Sequence, residues 1–359
     1  MATRRIILLS VGFLLWISGA LPLHAQQSTW SVGTSIGFAL PHRSEMLALV
    51  TGHSFGLTIR HGNWNASGWR KDWNRHGSTW QGVQVGWLNG GSDELGNMTS
   101  AMWLISLPIR PRWHVELGSG LGWSSAPYDP IERPLSIAIG TRLNAGIHLG
   151  SAVQLVHRQQ GWMDVGAGLT HFSNGALALP NLGLNNVHLR LRAGWNAKHG
   201  ISERHPAQFV HQGAGWQWAF AGRAGARDIN LPGGDLHPTV SAGVYAQSRR
   251  RRTHSWTLAL DLAHNQSLQQ FSAEPLSSAQ RLQLASLAGI NLHFGRGHLM
   301  LLQGWVWTQP DEALGRRHLQ SVFAFDLSSL WAIEMGLRSF RLRADYPFIG
   351  IRHRLPSSR

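Results

Sequence analysis

The sequence contains no cysteine, few acidic residues and, beyond its first twenty or so positions, no long apolar run. Each absence removes a class of protein. Without cysteine there are no disulfide scaffolds, thiolate zinc sites, iron–sulfur clusters or cysteine nucleophiles. Charged residues make up 14% of the chain against 43% apolar ones, which excludes a disordered polyelectrolyte and a coiled coil. No later segment holds the roughly 18 consecutive apolar residues that a membrane-crossing helix needs. The 18 Asp and Glu face 32 Lys and Arg, a formal charge of +14 that suits nucleic acid, an anionic membrane surface or a phosphorylated substrate. What is plentiful is glycine, histidine and tryptophan.

The N-terminus narrows that choice. Arg4 and Arg5 precede an apolar stretch from Ile6 to Ile17, followed by Ser18, Gly19, Ala20, Pro22 and the tripeptide Leu23-His24-Ala25. A charged start, a short apolar centre and small residues at the end predict a secretory signal peptide over 1–25, with a mature start near Gln26. About a dozen apolar residues is short for a spanning anchor. Loss of Arg4 and Arg5 leaves 30 basic against 18 acidic residues. An exported basic protein has no routine access to nucleic acid, so an anionic lipid or glycan is the expected partner.

The remaining chain alternates with a period of two. Leu143, Ala145, Ile147, Leu149, Val153 and Leu155 interleave with Arg142, Asn144, Gly146, His148 and Gln154. Trp256, Leu258, Leu260 and Leu262 interleave with Ser255, Thr257 and Asp261, and Trp331, Ile333, Met335 and Leu337 with Glu334, Gly336 and Arg338. Segments of about ten residues with one apolar face and one polar or glycine face, joined by turns, are the pattern of a transmembrane β-barrel. A soluble β-sandwich also alternates. Tryptophans near strand ends, as in an interfacial girdle, and Arg, Asn and Gln on the second face favour the membrane. The final Ser357-Ser358-Arg359 lacks the terminal aromatic common in such barrels.

The expected fold is therefore all-β, an antiparallel transmembrane outer-membrane β-barrel protein with about 14–16 strands, half before residue 197 and half after 206. The polar, turn-rich Asn196 to His205 is the best internal boundary, separating a region 26–197 from a region 206–359. Two closures remain open: one large barrel, or an eight-stranded barrel with further C-terminal strands.

One segment stands apart, Gly168-Leu169-Thr170-His171-Phe172-Ser173-Asn174-Gly175 followed by Pro180-Asn181-Leu182-Gly183-Leu184-Asn185. His171 and Ser173 lie two apart, so on a strand they project to one side within reach of a hydrogen bond. On the returning strand Asn185 shares parity with Val187, Leu189 and Leu191. If the strands are neighbours, His171, Ser173 and Asn185 meet on the apolar outside at the barrel rim. A serine hydroxyl needs an adjacent base, a role open to His171, and the base needs a partner that fixes its tautomer. Asn174, Asn181 and the backbone around Gly183 are the local supply of oxyanion donors. Taken alone, a His-x-Ser pair is weak evidence in a chain with 20 histidines.

These residues resemble the lipid A 3-O-deacylase family, outer-membrane acyloxyacyl hydrolases marked by a His-x-Ser-Asn motif and a following Asn-containing turn. The resemblance covers about residues 28–197, with Asn144 in a family-like context (Ile139-Gly140-Thr141-Arg142-Leu143-Asn144), and the rest is similar to an extension found in longer relatives. It implies an eight-stranded barrel in the outer membrane of a Gram-negative bacterium and hydrolysis of an acyl ester of lipid A, the lipid anchor of lipopolysaccharide. Ser173 would be the nucleophile, His171 the base, and Asn181, with Asn174 or a loop N–H, the oxyanion donor. One position departs from the pattern. The best-known members carry Glu where this chain has Asn185. Asn185 still offers a side-chain oxygen to the imidazole, but no charge, which leaves slower chemistry or a non-catalytic, porin-like or structural barrel as alternatives.

Other features read as ordinary. Arg249 to Arg252 suits a solvated turn. His205, His211 and His237 lack a metal-ligand spacing with carboxylates, so no metal or cofactor is expected. Gly166-Ala167-Gly168 lies on a strand and not in a nucleotide-binding turn. Asp129 and Glu132 sit in a Pro-containing loop without an assigned role.

Overall fold

A computed structural model describes residues 28–65, 70, 73, 77–158, 161–195, 215–229, 234–248, 253–308, 315–341 and 343–356. The expected signal peptide, the boundary at 196–205, His205, His211 and the Arg249–Arg252 run lie outside the described residues. The first eight strands are β1 (Ser28–Ala39), β2 (Ser54–Asn65), β3 (Thr79–Asn89), β4 (Asn97–Arg110), β5 (Trp113–Ser124), β6 (Leu143–Arg158), β7 (Gly161–Ser173) and β8 (Leu184–Trp195). The next eight are β9 (Trp216–Arg227), β10 (His237–Ser248), β11 (His254–Asn265), β12 (Leu282–Phe294), β13 (Gly297–Val306), β14 (Arg317–Asp326), β15 (Trp331–Phe340) and β16 (Arg343–Arg354).

Each set of eight closes on itself, β1 pairing β8 and β9 pairing β16, with every neighbour antiparallel. The fold is all-β, as the period-two alternation requires, and the C-terminal strands form a second barrel instead of enlarging the first. An eight-stranded barrel has an interior just wide enough to be filled by side chains. Here that filling combines apolar side chains, such as Met102 and Leu104 in the first barrel and Met300 and Leu302 in the second, with buried ion pairs. In the first barrel Glu116 accepts from Arg60 at 3.0 Å, Arg190 at 2.7 Å and Arg192 at 3.0 Å, and Arg192 also pairs with Asp164. In the second, Glu334 binds Arg223 at 2.7 Å and Arg352 at 3.2 Å, while Asp345 pairs with Arg338 at 2.7 Å. At one end of that lumen Ser255, His293, His298 and Asp326 form a hydrogen-bonded row, with steps of 3.0, 2.8 and 2.8 Å.

The outside is apolar. Ile36, Ile59, Val85, Ile147, Leu189, Leu258, Leu260 and Ile351 are all half exposed or more, while Arg352 and Glu334 are fully buried. This polarity is the reverse of a water-soluble protein, which hides its large apolar side chains. Outward tryptophans collect at both rims. Trp30, Trp113 and Trp195 lie at one end of the first barrel and Trp87 and Trp123 towards the other, and Trp216, Trp256 and Trp331 oppose Trp305 and Trp307 on the second.

The two rims differ. The lower rim of the first barrel includes the two-residue connection 111–112, whereas the upper carries the longer segments 40–53, 90–96, 125–142 and 174–183. These upper segments pack inward as a cap in which Met46, Leu49, Leu95 and Ile139 are buried. The barrels stand side by side. Ile105 and Leu107 point outward from β4, yet they are only 1% and 5% exposed because Phe294 of the second barrel covers them. Below them Trp73 stacks on Phe294 at 5.3 Å and donates its indole N–H to the His293 carbonyl at 2.9 Å.

Glu116 balances three guanidiniums in a water-poor interior, so its removal leaves uncompensated buried charge. Glu116→Leu should destabilise the folded barrel by roughly 3–5 kcal/mol. The measurement is the thermal midpoint at which the protein loses its compact migration in unheated SDS gels, and an unchanged midpoint would refute the assignment.

Candidate active site

Strand pairing alone brings the motif together. β7 and β8 place His171 directly opposite Asn185, and β6 places Ala145 opposite Ser173 at the upper end of β7. His171, continuing the outward face of Val165, Ala167 and Leu169, is half-buried, and Ser173 is buried at 8% exposure. His171 and Asn185 meet at the upper rim, and Ser173 follows two residues on along β7, at the same rim as the cap of loops.

The imidazole is oriented by a chain of partners. His171 Nδ1 lies 2.7 Å from Asn185 Oδ1, so Nδ1–H donates and Nε2 is left as the acceptor. Asn185 Nδ2 lies 2.9 Å from His42 Nδ1, and His42 Nε2 lies 2.9 Å from the Leu182 carbonyl. One arrangement of protons satisfies the row: His42 donates from Nε2 and accepts at Nδ1, Asn185 donates from its amide and accepts at its oxygen, and His171 donates from Nδ1. Asn185 thus fixes the tautomer without a negative charge.

Ser173 Oγ accepts from Asn181 Nδ2 at 2.8 Å and from the Gly175 backbone N–H at 3.1 Å. Two donors aimed at the oxygen stabilise developing negative charge on it. Among the described residues no hydrogen bond joins His171 to Ser173, so the proton acceptor and the hydroxyl sit side by side but unengaged. A side-chain rotation is what proton transfer requires, and catalytic hydrogen bonds often tighten only when substrate binds.

The loop after Ser173 is built by Asn174. Its Oδ1 accepts from the Ala176 and Leu177 N–H groups at 3.0 and 3.1 Å, and its Nδ2 donates to the Ala178 carbonyl at 2.8 Å. The Asn174 side chain is therefore committed to the turn, and its backbone N–H lies 3.4 Å from Asn181 Oδ1. Gly175 and Ala176 take left-handed conformations, φ +69° and +76°, which this side-chain bracket stabilises. Gly183 has φ +83°, and a Cβ there would lie 2.7 Å from His171 Cε1. Glycine at 183 makes room for the imidazole, while its N–H donates to the Ala138 carbonyl at 2.8 Å and is unavailable as an oxyanion donor.

The other residues singled out in the sequence have different surroundings. Asp164 points into the lumen towards Arg192, and Asn144 is buried, its amide donating to the carbonyls of Thr141 and Arg142 at 2.8 and 3.2 Å. His237 is outside the rim site, and no group of three His, Asp or Glu fit to hold a metal occurs among the described residues. Asp129 and Glu132 lie in segment 125–142, whose Ile137 and Ala138 carbonyls receive the Leu182 and Gly183 N–H groups. Sequence reasoning missed His42. Nothing in Pro41-His42-Arg43 marks it, because its role arises from a contact spanning more than 140 positions. Next to it, the Arg43 guanidinium is held below its ordinary pKa, first by burial and then by Arg343 on the second barrel, with Glu45 opposing.

Comparisons with known proteins bear on the first barrel. No curated protein matches the chain. Among solved structures, a triple mutant of Rhodopseudomonas blastica porin aligns over 91% of this chain and 99% of its own at 10% identity, with a TM-score of 0.20. A second variant of the same porin aligns over 91% and 99% at 9% identity, also with a TM-score of 0.20. Likeness at that level carries no weight. Residues 52–194, which span seven of the first barrel's eight strands and the whole His171–Ser173–Asn185 cluster, match the family model of lipid A 3-O-deacylase (PagL), and the closed eight-stranded barrel is the fold consistent with that family.

Proposed function

We propose that the protein is an outer-membrane esterase that removes an ester-linked acyl chain from lipid A, with Ser173 as nucleophile, His171 as base and Asn185 as its orienter. The observation that carries this reading is the rim cluster itself, in a segment matching that family: a serine held by two donors, beside an imidazole of assigned tautomer, on a barrel with an apolar exterior. The reversed polarity and the two tryptophan girdles support a membrane setting, and the N-terminal pattern of Arg4 to Ala25 supports export through a cleaved signal peptide.

In the proposed reaction the Ser173 hydroxyl rotates towards His171 Nε2, gives up its proton and attacks the ester carbonyl carbon. The Gly175 N–H and the Asn181 amide, which already bracket Oγ, are close enough to turn to the new oxyanion. Collapse of the tetrahedral adduct expels the sugar hydroxyl, which takes the proton from His171 and leaves the acyl group on Ser173. Water, deprotonated by His171, then releases the fatty acid and restores the serine. The outward apolar residues beneath His171, Leu169 on β7, Ile147 and Leu149 on β6 and Leu189 on β8, offer the acyl chain a path along the barrel wall. Arg43 and Arg343 supply cationic charge at the same rim for a phosphorylated glycolipid.

A channel reading finds less support. The interior of each barrel is occupied by paired charges, and Tyr245, Met300, Leu302 and Arg352 are fully buried in the second.

Three substitutions test the reading. Mass spectrometry of lipid A from cells expressing the protein should show loss of one acyl chain, and Ser173→Ala should abolish that loss; unchanged lipid A with the native serine sinks the hydrolase reading. Asn185→Glu adds the missing charge beside His171 Nδ1 and should raise kcat about tenfold or more. Complete loss of activity in that variant would place the orienter elsewhere. Gly183→Ala pushes on the imidazole from a strained backbone, so kcat should fall on the order of a hundredfold with the folded form intact.

A further inference from the structure

The loop that serves Ser173 is gripped from two sides, and one of the grips comes from the second barrel. On the first-barrel side, Leu182 and Gly183 donate to Ile137 and Ala138, and His42 meets the Leu182 carbonyl. These contacts secure the end of the loop nearest Asn185. The tip, residues 176–179, is held differently. Asp228, immediately after β9 and only 3% exposed, donates its backbone N–H to the Ala176 carbonyl at 2.8 Å. Its carboxylate Oδ2 accepts the Leu179 N–H at 3.1 Å. A Cβ at Gly175 would sit 3.3 Å from Pro347 of β16 and 3.5 Å from Leu337 of β15, so the second barrel also lies directly against the residue whose N–H reaches Ser173.

We infer that the second barrel is a working part of the active site, and that Asp228 is a positioning residue for the loop presenting the Gly175 N–H and the Asn181 amide to Ser173. The physical case is one of free energy and geometry. Left-handed Ala176 costs backbone energy that neighbouring contacts must offset. Asn174 supplies one bracket from within the loop, and Asp228 supplies the other from outside by taking up one carbonyl and one N–H at the tip. A two-point hold on the tip confines the backbone between Ser173 and Asn181, so both donors stay within hydrogen-bond range of one oxygen. A small displacement of such a group costs disproportionately in rate. Asp228 holds the loop at Ala176 and Leu179, so its effect travels through the loop.

The inference rests on the esterase reading above, and its test separates the two. Asp228→Ala withdraws the side-chain acceptor while leaving the backbone hydrogen bond to Ala176. Asp228→Asn keeps an oxygen at the same place. With purified full-length protein in detergent, three quantities are measured: kcat and KM for lipid A, the rate at which a fluorophosphonate labels Ser173, and hydrogen exchange at the Leu179 amide. Asp228→Ala should lower kcat and labelling on the order of a hundredfold, with KM little changed, and should expose the Leu179 amide to exchange. Asp228→Asn should restore most of both rates and the protection. If Asp228→Ala does not reach the compact form on unheated gels, Asp228→Ser, with a side chain too short to span the gap, carries the same expectation. Native rates and a protected Leu179 amide in the alanine or serine variant overturn the inference. So does an asparagine variant as impaired as alanine. Wild-type protein inert towards lipid A, with Leu179 still deprotected in the alanine variant, overturns the esterase reading and leaves the loop clamp standing.

Discussion

Ring closure is the constraint from which the rest of the molecule follows. Where no water is at hand for strand edges, a sheet must pair its first strand with its last, and here β1 meets β8 and β9 meets β16. Closure at eight strands sets a lumen narrow enough to be filled by side chains, and in both barrels apolar ones such as Met102, Leu104, Met300 and Leu302 share it with buried charge. The carboxylates and guanidiniums there come as matched sets, with Glu116 and Glu334 each serving more than one arginine. With charge turned inward, the apolar alternates of every strand must face outward, which is why Leu and Ile dominate the exposed surface.

The same closure explains where chemistry is placed. Within the wall of a barrel every backbone group is engaged, and no carbonyl or N–H is spare for a substrate. At the upper end of β7 the ladder stops, and the ten-residue segment before β8 has free backbone groups to arrange. Asn174 arranges them into a turn, and glycines at 175 and 183 admit the left-handed geometry and the close approach of an imidazole. The last rungs of the ladder, His171 opposite Asn185, still impose register on the side chains. Rigid pairing below and adaptable backbone above meet at Ser173.

Parity was the part of this arrangement open to reading from residues. Alternation in 143–155 and 256–262 foretold strands and their faces, and the even and odd positions of 163–191 foretold that His171 and Asn185 would share a face while Asp164 would not. Spacing carried that far because a strand has one period and two sides. Three things lay beyond it. Alternation is identical in a sixteen-stranded ring and in two eight-stranded rings, so closure could not be read from it. His42 and Asp228 reach the site from segments whose local sequence is unremarkable, and only long-range assembly brings them there. The roles within the motif also shifted: Asn174 and Gly183 looked like oxyanion donors, yet one is spent on the turn and the other on clearance, because both act within a loop whose path no periodicity describes.

An even number of strands returns a chain to the rim from which it set out. Trp30 lies beside Trp195, and β9 starts at the same end at which β16 finishes. A unit built this way can be joined behind another without inverting it, so the end of β9 lies at the same rim as the end of β7. A strand more or fewer in the first ring would start the second from the opposite rim and carry Asp228 to the other end of the barrels from Leu179. The count of eight is thus also an addressing system, which delivers two distant stretches of one polypeptide to the same surface.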